Sequence, residues 1–104
     1  MLTLPIKAKW FNMILSGEKK EEYRETKPYY TSRFDKLFNL DHVCISEGTE
    51  EKEIRFVNGY GRERPAFTAK CTLEITSGRV AWGAEYGKTY YVLKIHEIRD
   101  RFKC

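Results

Sequence analysis

At 104 residues the chain can bury one modest hydrophobic core and no more, so one domain is expected and a multi-domain machine is excluded. Hydrophobic residues at 41% and charged residues at 33% exclude a disordered or low-complexity chain, and no apolar run approaches the roughly 20 residues of a spanning helix. With 19 basic and 15 acidic side chains the formal charge is +4, a lean towards polyanions that an evenly solvated surface explains equally well.

The first element, residues 2–7, alternates Leu2, Leu4 and Ile6 against Thr3, Pro5 and Lys7, which predicts a short strand. Pro5 has no N–H to give to a ladder and marks an edge or a strand end. Trp10, Phe11, Ile14 and Leu15 then recur at helical spacing and predict a helix over 8–16 with one face on the core. Gly17 stops that helix, because glycine takes positive φ at a helix C-terminus without a Cβ clash. The chain leaves extended over 19–25. Alternate residues of a strand share a face, so Glu22 and Arg24 point the same way, with Lys19 at the strand's entrance. Pro28 breaks this strand and suits the first turn of a second helix over 29–38, where Tyr30, Phe34, Leu37 and Phe38 form an apolar stripe ended by Asn39 and Asp41.

Residues 42–47 place Val43 and Ile45 opposite His42, Cys44 and Ser46 and read as a strand; 53–57 reads as another, closed by the tight-turn dipeptide Asn58-Gly59. A loop over 61–65 carries Arg62 and Arg64. The clearest strand is 66–76, in which Phe67, Ala69, Cys71, Leu73 and Ile75 alternate with Thr68, Lys70, Thr72, Glu74 and Thr76. Ser77-Gly78 turns the chain into a glycine-punctuated loop with Trp82 and Tyr86, and a last strand over 89–98 runs into a charged tail. This order predicts an α+β fold of five to six mostly antiparallel strands with two short helices. A sheet of that size protects its edges by curling into a small β-barrel; a flat sheet backed by both helices is the alternative.

Cys44, Cys71 and Cys104 form no C-x-x-C pair and have only His42 and His96 to join them, so no zinc site is expected. Three thiols without a secretory h-region read as reduced cysteines of a cytoplasmic protein, with no membrane partner and no cofactor expected. The Glu22–Arg24 pair has two readings, a polar grip on a ligand or a structural ion pair between sheet and helix. Lys19 likewise is either an amine activated by desolvation or one more solvated charge in Glu18-Lys19-Lys20-Glu21.

The run Gly17-x-Lys19-x-x-Glu22-x-Arg24, after a helix carrying Trp10 and Ile14-Leu15-Ser16, resembles the signature of the ASCH domain family, small proteins with a PUA-like β-barrel. Domains of that family are about as long as this chain, so the resemblance extends over nearly all of it. It implies a cleft beside residues 17–24 that binds RNA or a modified nucleoside, with hydrolysis of nucleic acid or of a modified nucleoside in some members. On this reading Lys19 is base or nucleophile, Glu22 proton acceptor or orienting group, and Arg24 the holder of developing negative charge. Lys7, Trp10, Tyr30, Arg33, Ser46 and Trp82 are the candidates for phosphate, base and sugar contacts. Members that deacetylate cytidine carry threonine at the position of Glu22 and an acidic residue from a helical insertion. Here the lysine carries over as Lys19, but residues 76–89 are too short for that insertion. A non-catalytic RNA-binding module and a protein-interaction module are the competing classes.

Overall fold

The structure is a computed structural model that describes residues 1–40, 49–59 and 64–102. In chain order it contains β1 (Leu2–Ile6), α1 (Ala8–Leu15), β2 (Glu21–Arg24), α2 (Pro28–Phe38), β3 (Lys52–Asn58), β4 (Ala66–Ser77) and β5 (Thr89–Phe102). The strand expected over 42–47 lies outside the described residues. The five strands form one sheet in the order β1-β3-β4-β5-β2, with β1 parallel to β3 and the other three pairings antiparallel. The fold is α+β: a curled five-stranded sheet, a half-barrel, with two helices.

The curl has a local cause. Between the pairs Lys70↔Glu97 and Cys71↔Ile95, β5 holds one residue more than β4, and it does so again between Thr68↔Arg99 and Ala66↔Phe102. An extra residue on one strand bends the ladder and increases its twist. The concave face closes on a core in which Phe34, Ile54, Phe56, Phe67, Leu73 and Leu93 are fully buried. Each such side chain contributes about 1.5–3 kcal/mol over leaving it in water. α1 adds Phe11 and Ile14 to this core and α2 adds Phe34 and Phe38, the residues of their apolar stripes. A smaller cluster of Tyr23, Ala84, Tyr90 and Val92 covers the opposite face of β2 and β5.

Both helices end as their sequences require. Ser16 caps α1 and Gly17 follows with φ of +85°, while α2 begins at Pro28 and stops at Asn39, which sits in the left-handed region with φ of +56°. Two strands differ from expectation by more than a residue at one end. β2 covers only Glu21–Arg24, because the amide of Lys19 is still tied back to the Met13 carbonyl at 3.0 Å. β5 continues to Phe102, since its ladder with β4 carries the polar residues of the expected tail. At the expected turn Asn58 donates to the Pro65 carbonyl at 2.9 Å, and Gly59, with φ of +77°, donates to the Ile6 carbonyl at 2.7 Å.

Among the described residues the strand order leaves β1 and β2 as the two edges of the half-barrel, facing one another across a seam. One side chain spans it. Arg24, on β2, donates from Nη2 to the main-chain oxygen of Pro5, on β1, at 2.9 Å. Pro5 suits this edge because it has no N–H to leave unpaired there.

Candidate functional site

Glu22 stands opposite Leu93, and Arg24 opposite Tyr91, in the β2–β5 register. Opposed residues of an antiparallel pair share a face, so both charged side chains project towards the core side of the sheet at its open seam. Glu22 is the hub. Its Oε1 accepts from Lys19 Nζ at 2.7 Å and its Oε2 from Arg24 Nη2 at 2.8 Å. Arg24 also reaches the Tyr30 hydroxyl on α2 from Nη1 at 3.3 Å, whereas its buried Nε has no hydrogen-bond partner among the described residues. One guanidinium therefore ties together β1, β2 and α2.

Lys19 arrives from the other side. The turn at Gly17 carries it beneath α1, where it is 1% exposed and its amine lies 4.9 Å from the ring centre of Trp10 and 5.1 Å from that of Tyr23. Burial lowers the pKa of the amine from its ordinary value, and the Glu22 carboxylate offsets this only in part. Tyr23 accepts from the Arg79 amide at 2.9 Å and donates to Glu21 Oε1 at 2.8 Å; burial pushes its phenol pKa upward.

A cleft of about 360 Å³ opens over the seam. Pro5, Ile6, Lys7 and Gly59 form one side, Glu22, Tyr23 and Arg24 the other, and Trp10 contributes an aromatic wall. Its volume suits one nucleoside-sized ligand. Glu22 lines the cleft, its carboxylate fixed in orientation by two cations, while Lys19 sits behind it and is not part of the wall. The site can thus offer a fixed acceptor to an exocyclic amine, a guanidinium to a carbonyl or phosphate oxygen, and an indole to a ring face.

Among the residues expected from sequence, Lys19, Glu22, Arg24, Lys7 and Trp10 come together here, and Tyr30 supports Arg24 from behind. Arg33 does not join them: it lies on the exposed side of α2, 3.5 Å from the Tyr29 ring centre, beside a separate depression shared with Met1, Leu2, Lys36 and Leu37. Trp82 borders a third depression with Lys20, Glu21, Arg79, Lys94 and His96. Ser46 lies outside the described residues. Sequence reasoning missed Pro5, Ile6, Tyr23 and Gly59. Tyr23 alternates with Glu22 and Arg24 and packs against the cluster on the far face, but on an edge strand it also borders the seam.

No group of three or more histidine, cysteine, aspartate or glutamate side chains is placed to hold a metal ion among the described residues. No helix among them is long and apolar enough to cross a membrane. Compared with protein-family models, curated proteins and solved structures, the chain matches none.

Proposed function

We propose that the seam cleft binds RNA or a modified nucleoside, with a base stacked against Trp10, its polar edge on Glu22 and Arg24, and a phosphate near Lys7. The observation that carries this reading is the Glu22 carboxylate held at the cleft by Lys19 at 2.7 Å and Arg24 at 2.8 Å. A carboxylate so fixed accepts from exocyclic amines, a guanidinium donates to carbonyl and phosphate oxygens, and the indole supplies a stacking surface that tolerates any base. The resemblance of Gly17-x-Lys19-x-x-Glu22-x-Arg24 to the ASCH signature assigns the same cleft to the same ligands, within a PUA-like architecture.

Hydrolysis is the second reading, favoured by the desolvated amine of Lys19. Water adds to an acyl or phosphoryl centre held over Glu22. Its proton passes to the carboxylate–amine pair and then to the leaving group, while the Arg24 guanidinium faces the developing oxyanion. Because Lys19 lies behind Glu22, the carboxylate is the group that touches the reacting water and Lys19 acts through it.

The test is incubation of the wild type and Glu22→Asp with modified nucleosides and structured RNAs, following binding and product together. Shortening the carboxylate by one methylene keeps the charge balance but withdraws the acceptor from the cleft. Weaker binding by a variant that still melts in one cooperative transition above the assay temperature supports the assignment, and product from the wild type alone adds the hydrolytic step. No binding to any ligand of the panel refutes both readings.

A further inference from the structure

The depression beside Trp82 lies on the opposite face of β2 from the Glu22–Arg24 pair. Its walls are Lys20, Glu21 and Arg79 with Trp82, Lys94 and His96, around a volume of about 260 Å³. Glu21 and Lys94 oppose one another in the β2–β5 ladder, so both project outward on that face. The Arg79 guanidinium lies 4.7 Å from the Trp82 ring centre, a stack already assembled without a ligand. Lys94 has Glu74 at 3.3 Å, and Glu21 is engaged by the Tyr23 hydroxyl. Lys20 and Arg79 have no carboxylate within salt-bridge distance among the described residues.

The two depressions flank one strand. Lys20 and Glu21 of the outer groove are followed directly by Glu22, Tyr23 and Arg24 of the seam cleft. Gly83, next to Trp82, lies so close to the wall of the cleft that a Cβ there would come within 3.0 Å of the Trp10 ring. Trp10 and Trp82 are therefore held on either side of one backbone contact, each beside cations. Free nucleosides need only the first of these sites.

We infer that the ligand is a single-stranded RNA segment that crosses the β2 edge, with one nucleotide in the seam cleft and its neighbour on the Arg79–Trp82 stack. This inference rests on the nucleic-acid reading of the seam cleft and adds a second subsite to it. Single-stranded RNA is recognised through unstacked bases laid on aromatic rings and arginine planes, with cations along the backbone. The groove supplies all three elements: an indole, a guanidinium lying over it, and Lys20 beside the strand that separates the two sites. An acidic peptide would satisfy the cations but leave the stack without a planar partner.

Binding of uridine 5′-monophosphate and of single-stranded oligouridylate of about eight residues, a length within the usual range for such grooves, tests the inference by fluorescence anisotropy and calorimetry. Wild type, Arg79→Gln and Trp82→Ala are compared, with melting curves for each. The two-site arrangement predicts that Trp82→Ala weakens oligonucleotide binding roughly 5- to 150-fold, the loss of one stacked base. It predicts that Arg79→Gln lowers the salt slope by about 0.7, the loss of one phosphate contact to a single strand. Both variants retain wild-type affinity for the mononucleotide. Arg79 is exposed, so its variant keeps the test decisive should Trp82→Ala fail to fold. Unchanged oligonucleotide binding and salt slope in Arg79→Gln, with mononucleotide binding intact, overturn the second subsite and leave the seam reading standing. Failure of the wild type to bind either ligand overturns both.

Discussion

Glu22→Gln and Lys19→Met should differ sharply in stability, although each removes one member of the same ion pair. Glutamine keeps the shape of Glu22 but leaves Lys19, 1% exposed, and Arg24, whose side chain is 13% exposed, as adjacent cations without a counter-charge. Stranding a buried charge costs about 3–5 kcal/mol. For a domain of this size that corresponds to a fall in Tm of about 12–40 °C, against a total stability of about 5–15 kcal/mol. Lys19→Met instead leaves Glu22 compensated by Arg24 and places an apolar chain between the rings of Trp10 and Tyr23, so stability should change by no more than about 1 kcal/mol in either direction.

The pH dependence carries a second signature. Lys19 has a lowered pKa in the folded state, so between that value and 10.5 the unfolded chain binds more protons, and stability rises with pH. Glu22→Gln removes the partner that raises this pKa and should widen the window over which stability climbs; Lys19→Met should abolish that component. Chemical denaturation at several pH values from neutral to about 10, with the three proteins side by side, checks both. Equal losses in the two variants, or a Glu22→Gln penalty that does not shrink with rising pH, would refute the hub arrangement.

Arg24→Met should cost about 1–3 kcal/mol by leaving the Pro5 oxygen without its donor, and hydrogen exchange should report looser protection in β1. Gly78→Ala should cost about 1–3 kcal/mol in a urea titration, because the new Cβ would meet the Tyr23 ring at 2.6 Å and the Ala84 Cβ at 2.8 Å. Burial pushes the Cys71 thiol from 9.0 up to about 12. Its contribution to stability is complete below pH 9 and is lost as pH rises from there towards 12, so Cys71→Val should flatten that fall. The same burial should keep Cys71 inert to thiol reagents at pH 8 until denaturant is added, followed by mass spectrometry of the labelled peptide.

The local code was readable wherever one face of an element is dry. Phe67, Ala69, Cys71 and Leu73 alternate in the sequence and are buried in β4, and Pro28 and Asn39 bound α2 at the positions their dihedral preferences favour. The shared face of Glu22 and Arg24 followed from strand alternation, and the pair is present. What local pattern could not supply was the partner across the sheet. The parallel pairing of β1 with β3 joins residues about 50 positions apart in the register, and no periodicity encodes it. Arg24 meeting Pro5 depends on that same closure. Lys19 carried two readings, a desolvated amine or one more solvated charge in its run; the turn at Gly17 and the Met13 carbonyl draw it inside, away from Lys20 beside it, a placement that local pattern alone could not decide. Trp82 was grouped with Trp10 as a possible stacking surface, but the contact between Gly83 and Trp10 holds its ring in a different depression.

The most direct test of the seam cleft as a nucleic-acid site is titration of isotope-labelled protein with nucleosides and short RNAs, observed by backbone amide and arginine side-chain resonances. The account predicts saturable shifts centred on Ile6, Lys7, Trp10, the run from Glu22 to Arg24 and Gly59, including the Nε–H of Arg24, which has no hydrogen-bond partner among the described residues. Shifts confined to Arg33 and Lys36 on the far side of α2, or no saturable change with any ligand, would contradict it.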